Sequence, residues 1–153
     1  MRPGASAFLR KVLSHGIPTT IVSAGFQNLI EEFLWQEGVL TSKLGPSDPL
    51  LRVSSNRMTF GSDGVINGFG SPTPYHSGNK ADTFYREVQW FNENADRSIV
   101  VVLGDKPYDL DVTECIPYSD PSSTIRIGKF AGFRYMWQQI CWGCLLVYIC
   151  VHI

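Results

Sequence analysis

Ser98-Ile-Val-Val-Val-Leu-Gly-Asp-Lys-Pro-Tyr-Asp109 is the stretch that decides the fold class. Ile99 to Leu103 is a run of apolar, mostly β-branched residues that stops at Gly104, with Asp105 next and Asp109 four positions later. Such a run, without polar alternation, reads as a strand buried on both faces, as in the middle of a parallel sheet. In open α/β sheets, ligands bind beyond the carboxyl ends of these strands. Two carboxylates at that place suit a hard cation. Mg²⁺ is the expected one, because it takes oxygen donors and is commonly held by one or two carboxylates with water and substrate phosphate.

Upstream of that strand, elements alternate. Residues 3–14 show helical spacing of Phe8, Leu9, Val12 and Leu13, with Pro3 in the first turn and Gly16 beyond the end. Residues 17–22 read as a strand, and Ser23-Ala24-Gly25 as a tight turn out of it. Residues 26–37 read as a helix with Leu29, Ile30, Phe33 and Leu34 on one face and Gly38 as its stop. After a Gly/Pro/Ser/Asp loop at 41–49 comes a short strand at 51–55. Residues 58–60 and 65–69 bracket Gly61-Ser-Asp-Gly64, which predicts a β-hairpin. A second Pro/Gly-rich loop covers 70–78, and a helix is expected over 80–92. Downstream, a short helix over 108–115 and a last strand over 124–127 complete the pattern. Strands alternating with helices give the α/β class with a mainly parallel sheet and a small β-hairpin.

Bulk properties narrow the function. The chain has 153 residues, enough for one domain with a real core. A net charge of −1 offers no basic field for nucleic acid, and there is no acidic excess of the disordered kind. Apolar residues make up 44% of the chain, as in a globular domain with a covered sheet. Cys141, Cys144 and Cys150 crowd one end, with only Cys115 elsewhere. A disulfide framework would be spread through the chain, so reduced thiols and a cytoplasmic setting are expected. The N-terminal residues are no signal peptide, because charges interrupt their apolar positions.

Three places could carry chemistry. The first is Ser23-Ala24-Gly25 between a strand and a helix. Small residues let the backbone approach a ligand, amides at a helix start favour an anion, and a hydroxyl adds a hydrogen bond to a phosphate oxygen. The second is Lys80, after Asn79 at the start of a helix, where a cation opposes the helix dipole and a phosphate partner would explain it. The third is Asp105 with Asp109. Each alone also fits an ordinary turn, a solvated lysine or a plain Asp-Pro loop. Together they supply a phosphate cradle, an ammonium and a metal-binding acid pair, the parts that phosphoryl transfer uses for positioning and charge stabilisation.

Gly16-Ile-Pro-Thr-Thr-Ile-Val-Ser-Ala-Gly25, Val53-Ser-Ser-Asn56, Asn79-Lys80 and Leu103-Gly-Asp-Lys-Pro-Tyr-Asp-Leu110 together resemble the second half of the cytosolic pyrimidine 5′-nucleotidases. These are Mg²⁺-dependent phosphatases of the haloacid dehalogenase superfamily. The resemblance covers about residues 4–130. It implies a three-layer, Rossmann-type parallel sheet, here incomplete, over residues 1–133. It also implies attack by an aspartate on the phosphate of a nucleoside 5′-monophosphate of the UMP or CMP kind. By position, Ser23, Ala24 and Gly25 would bind phosphate. Lys80 would serve as the catalytic cation neutralising phosphate and nucleophile. Asp105 would ligate Mg²⁺, with Asp109 supporting the metal or its waters.

The chain departs from this pattern in three ways. The nucleophile motif Asp-x-Asp-x-Thr is absent from a first strand; Asp109-Leu-Asp111-Val-Thr113 matches it formally but follows Pro107 in the metal loop. The resemblance places the nucleophile strand and the base-selecting cap before residue 1, so upstream sequence is expected to be missing and the parallel sheet to have an exposed apolar edge. Lys106 and Tyr108 replace the Ser and Gly usual in the metal loop, and Lys106 puts a cation beside the metal site. Finally, residues 134–153 do not continue the family pattern and carry no Asp, Glu, Lys or Arg from Ile140 on. Non-native read-through sequence, a terminal strand and a membrane anchor are the readings, in that order; the uncharged run is shorter than the ~20 residues that span a bilayer. The expected function is a truncated 5′-nucleotidase without turnover, or a non-catalytic phosphate-binding or interaction remnant. No nucleic-acid partner is expected.

Overall fold

The computed structural model describes residues 4–41, 50–71, 73–76, 78–97, 99–104, 124–128 and 145–151. Helix α1 (Ala5–Ser14) leads into β1 (Thr19–Phe26), which runs directly into α2 (Gln27–Gln36). Gly16 (φ +66°) and Gly38 (φ +65°) follow the two helices in the left-handed conformation, which glycine adopts without a Cβ penalty. Next come β2 (Leu51–Asn56), β3 (Met58–Phe60) and β4 (Ile66–Phe69). A 3₁₀ turn (Lys80–Asp82) then precedes α3 (Thr83–Arg86) and α4 (Val88–Glu93). Strands β5 (Ile99–Gly104), β6 (Thr124–Gly128) and β7 (Leu145–Val151) close the sequence of elements.

Five strands form one sheet in the order β2-β1-β7-β5-β6, and β3-β4 form the expected antiparallel hairpin. Strands β1 and β2 pair in parallel, as do β5 and β6. Strand β7 lies between β1 and β5 and is antiparallel to both, so the other four strands run in one direction. The molecule is thus an α/β structure with a mixed sheet. The parallel expectation fails at the centre, because the tail strand enters the sheet in reverse. Of the three readings of the tail, the strand is the one the sheet contains. The apolar edge expected there is covered, since β1 and β5 each pair with β7.

One apolar cluster lies on one face of the sheet. Ile21, Leu51 and Val53 pack with Leu9 of α1, Leu34 of α2, and Val39 and Leu40 beyond it, while Val101 and Leu103 lean on the same cluster. Residues of alternate parity on the strands point to the other face, where Val22, Val100 and Val102 are buried as well. There Arg52 Nε donates to Glu87 Oε2 at 2.8 Å, tying β2 to the segment before α4.

Three expectations need correction. Of the apolar stripe expected on α2, Leu34 and Ile30 meet the core, whereas Leu29 and Phe33 are 51% and 37% exposed and Glu31 is buried instead. Glu31 is tolerated there because its carboxylate accepts from Arg57 and from Gln27, each at 2.7 Å. The helix expected over 80–92 is broken. Glu87 leaves helical geometry (φ −116°, ψ 26°) at the point where Arg52 holds its carboxylate. Ser23-Ala24-Gly25 are not a turn but the irregular end of β1, whose register with β2 shifts between Val22 and Phe26. The loop at 42–49 and the helix expected at 108–115 lie outside the described residues.

Candidate functional site

The carboxyl ends of β1 and β5 lie at the same edge of the sheet, one strand apart, because the strands run the same way with β7 between them. Ser23 sits at that edge of β1 and is only 5% exposed. Its Oγ accepts the Gly25 N–H at 3.0 Å. That bond uses an acceptor lone pair and leaves the hydroxyl hydrogen available to an anion. Gly25 is needed for this close fold-back. A Cβ there would stand 3.2 Å from Ser23 Oγ. The Gly25 amide is therefore committed to Ser23.

The carbonyls of this segment are also committed. Ser55 Oγ donates to Gly25 O at 2.7 Å, and Asn56 Nδ2 donates to Ala24 O at 2.9 Å. Both donors stand at the end of β2, where the register shift lets their side chains replace main-chain pairing. A strand end with its carbonyls tied back in this way keeps one conformation, as a preorganised ligand cradle requires.

Lys80 opens the 3₁₀ turn, and that turn packs against β1. The residue is 1% exposed, the largest fully buried side chain among the described residues. The solvated-lysine reading is excluded by this burial. Lysine is almost never fully buried without a partner, so its charge has a designated place in the interior. The loop before it is held by Asn79, whose Oδ1 accepts the His76 N–H at 2.7 Å and whose Nδ2 donates to Pro74 O at 3.0 Å. Sequence reasoning missed Asn56, Tyr75 and Asn79 as the framework of this site. The available signals were Asn56 closing the Val53-Ser-Ser-Asn56 stretch and Asn79 preceding Lys80.

Strand β5 ends at Gly104, beside Leu103, which pairs with Val147 of β7. Asp105 and Asp109 follow in sequence and lie outside the described residues. No cluster of three or more His, Cys, Asp or Glu suited to a metal occurs among the described residues. The donor chemistry of Asp105 and Asp109, oxygen only, fits Mg²⁺ rather than a softer metal. Between Ser23 and Leu103 the central position belongs to β7, where Leu145 pairs with Ser23. The sequence Leu-Leu-Val-Tyr-Ile-Cys-Val over 145–151 contains no carboxylate. No helix of the described residues is long and apolar enough to cross a membrane.

Comparison with known proteins bears on the family. The family model for pyrimidine 5′-nucleotidase (UMPH-1) matches residues 1–132. A Xenopus laevis 7-methylguanosine phosphate-specific 5′-nucleotidase is 30% identical over 84% of this chain and 41% of its own length. The Drosophila melanogaster protein of the same description is 31% identical over 84% of this chain and 37% of its own. The human one is 28% identical over 76% and 36%. The chain therefore spans 36–41% of the length of these relatives.

Proposed function

The chain belongs to the pyrimidine 5′-nucleotidase family, and on that premise we propose that it binds the phosphate of a nucleoside 5′-monophosphate together with Mg²⁺ but does not hydrolyse it as this chain alone. The observation that carries the proposal is Lys80, buried on a turn that packs against the strand bearing Ser23. A buried ammonium on an element packed against the strand that carries a hydroxyl with a free hydrogen suits an oxyanion. Ser23 would donate to a phosphate oxygen, and Lys80 would neutralise the phosphate charge. Asp105 would ligate Mg²⁺ and Asp109 would support it; the ion supplies charge stabilisation to a phosphoryl group when bound.

The same reading explains why turnover is not expected. Covalent phosphoryl transfer needs a nucleophile close to both the cradle and the cation. At the central strand position the chain offers Leu145 and no carboxylate on β7. The family resemblance supports, as part of this proposal, a three-layer haloacid-dehalogenase-like fold. The crowded cysteines favour a reducing, cytoplasmic setting.

The test is titration of the full 153-residue chain with inorganic phosphate, UMP, CMP and 7-methylguanosine monophosphate, with and without Mg²⁺, alongside an assay of phosphate release. Binding that Mg²⁺ strengthens, without release, is expected. A folded chain that binds none of the four removes the binding proposal. Sustained Mg²⁺-dependent release removes its non-hydrolytic half. The order of affinities among the three nucleotides reads the base preference, since both pyrimidine and 7-methylguanosine specificities occur among the names of the family and its members.

A further inference from the structure

Asn56 is 8% exposed, and its carboxamide joins two segments far apart in sequence. Nδ2 donates to Ala24 O at 2.9 Å and to Tyr75 O at 2.9 Å, while Oδ1 accepts the Tyr75 N–H at 2.6 Å. Two acceptors on one side and a donor on the other fix the orientation of the amide without ambiguity. The pair of bonds to Tyr75 imitates a rung of strand pairing, although residue 75 belongs to no strand. Tyr75 is itself locked. It is buried, its hydroxyl shares a hydrogen with Ser54 Oγ at 2.7 Å, and the Arg86 guanidinium lies 4.0 Å from its ring centroid. From Tyr75 the chain passes through the Asn79-braced loop directly into Lys80.

We infer that Asn56 is a positioning residue, which sets the Ser23–Gly25 strand end and the Lys80 loop at a fixed mutual distance so that hydroxyl and ammonium meet one phosphate. Ser54, Ser55 and Asn56 then form a brace of consecutive β2 residues. Ser54 holds the Tyr75 ring, Ser55 holds Gly25, and Asn56 holds both sides. Neutral, short side chains suit the task, because each must reach a main-chain or hydroxyl partner without placing a charge beside an anion. This inference rests on the proposed phosphate site, and it adds how the two halves of that site are kept in register.

The test compares the full chain with Asn56→Ser and Asn56→Asp, and with Val39→Ala as a core variant remote from the brace. Phosphate affinity is measured per folded molecule, and amide hydrogen exchange is followed at 23–26 and 74–80. The two Asn56 variants should bind inorganic phosphate about tenfold more weakly or worse, the scale of losing buried hydrogen bonds. Both segments should lose protection together. Val39→Ala should lower the melting temperature yet keep phosphate affinity within about twofold, because uniform destabilisation does not move a preorganised site. Asn56 variants that bind as the parent does, or that loosen only one segment, overturn the inference. A parent chain that binds no phosphate defeats the proposed function instead, and the exchange data still decide whether Asn56 couples the two segments.

Discussion

Lys80 and Gly25 show how much a single position commits the chain. Burying an ammonium is expensive unless something compensates it, and Lys80 is 1% exposed. Its charge is the one the proposed function assigns to the phosphate. Lys80→Met keeps most of the buried volume and deletes the charge. It should weaken inorganic phosphate binding by about tenfold to a hundredfold, the scale of a hydrogen bond to a charged group. Calorimetric titration of the folded variant checks this, and unchanged affinity would show that Lys80 does not face the anion. Gly25 acts through shape. An added Cβ stands 3.2 Å from Ser23 Oγ, closer than ordinary van der Waals contact, and so pushes on the hydroxyl that accepts the Gly25 amide. Gly25→Ala should cost about 1 kcal/mol of stability, as small overpacking does, and should also reduce phosphate affinity. A variant with unaltered denaturant midpoint and affinity would mean that the strand end yields freely.

Among the elements, β7 decides the most. A strand between two others has main-chain ladders on both sides, and here the register runs from Thr19↔Ile149 to Ser23↔Leu145 on one side and from Ile99↔Val151 to Leu103↔Val147 on the other. Such a strand unfolds with the whole sheet rather than locally. Amide hydrogen exchange should therefore find the central amides of 145–151 as slow as those of β1, whose exchange reports global unfolding. Fast exchange there, with slow exchange in β1, would show that the sheet stands without its tail. Ile149→Pro removes an N–H at the middle of this strand and should destabilise the chain by roughly 3 kcal/mol or more, measurable by urea titration. Sequence reasoning saw most other elements, because the β-branched run at 99–103 and the glycines after α1 and α2 are local signals. It placed α1, α2, the hairpin and the strands of β2, β5 and β6 within a few residues. It could not see the reversed entry of β7, since pairing direction is a long-range property that no periodicity in 145–151 encodes. The break at Glu87 is of the same kind, as it depends on Arg52, thirty-five residues away.

At the scale of the whole molecule, the candidate site stands on a sheet that buries apolar side chains on both faces. The apolar cluster joins α1, α2, β1, β2 and the inner residues of β5 beneath the strand that carries Ser23. The residue types of the site were legible: Ser23 and Lys80 were singled out by charge, size and position. Their framework was not, because Asn56 and Tyr75 act through contacts between segments that the sequence separates by about twenty to thirty residues. The orientation of α2 was misread for a related reason. Leu29, Ile30, Phe33 and Leu34 are all apolar, so periodicity allowed a stripe that included Leu29, and only the position of β2 and Arg57 turned Glu31 inward instead. A paired substitution measures which face supports the molecule. Leu34 is 2% exposed and meets the core, so Leu34→Ala should lower the unfolding free energy by about 2–5 kcal/mol, transfer and cavity terms together. That is a large fraction of the roughly 5–15 kcal/mol that holds a domain of this kind folded. Leu29 is half exposed on the same helix, so Leu29→Ala should change stability by no more than about 0.5 kcal/mol. Because the Ser23 cradle is built on the strand above this core, Leu34→Ala should also lower the temperature at which phosphate binding is lost, in step with global unfolding. Equal effects of the two substitutions on urea midpoint would place the core on the wrong face of α2, and with it the support of the site.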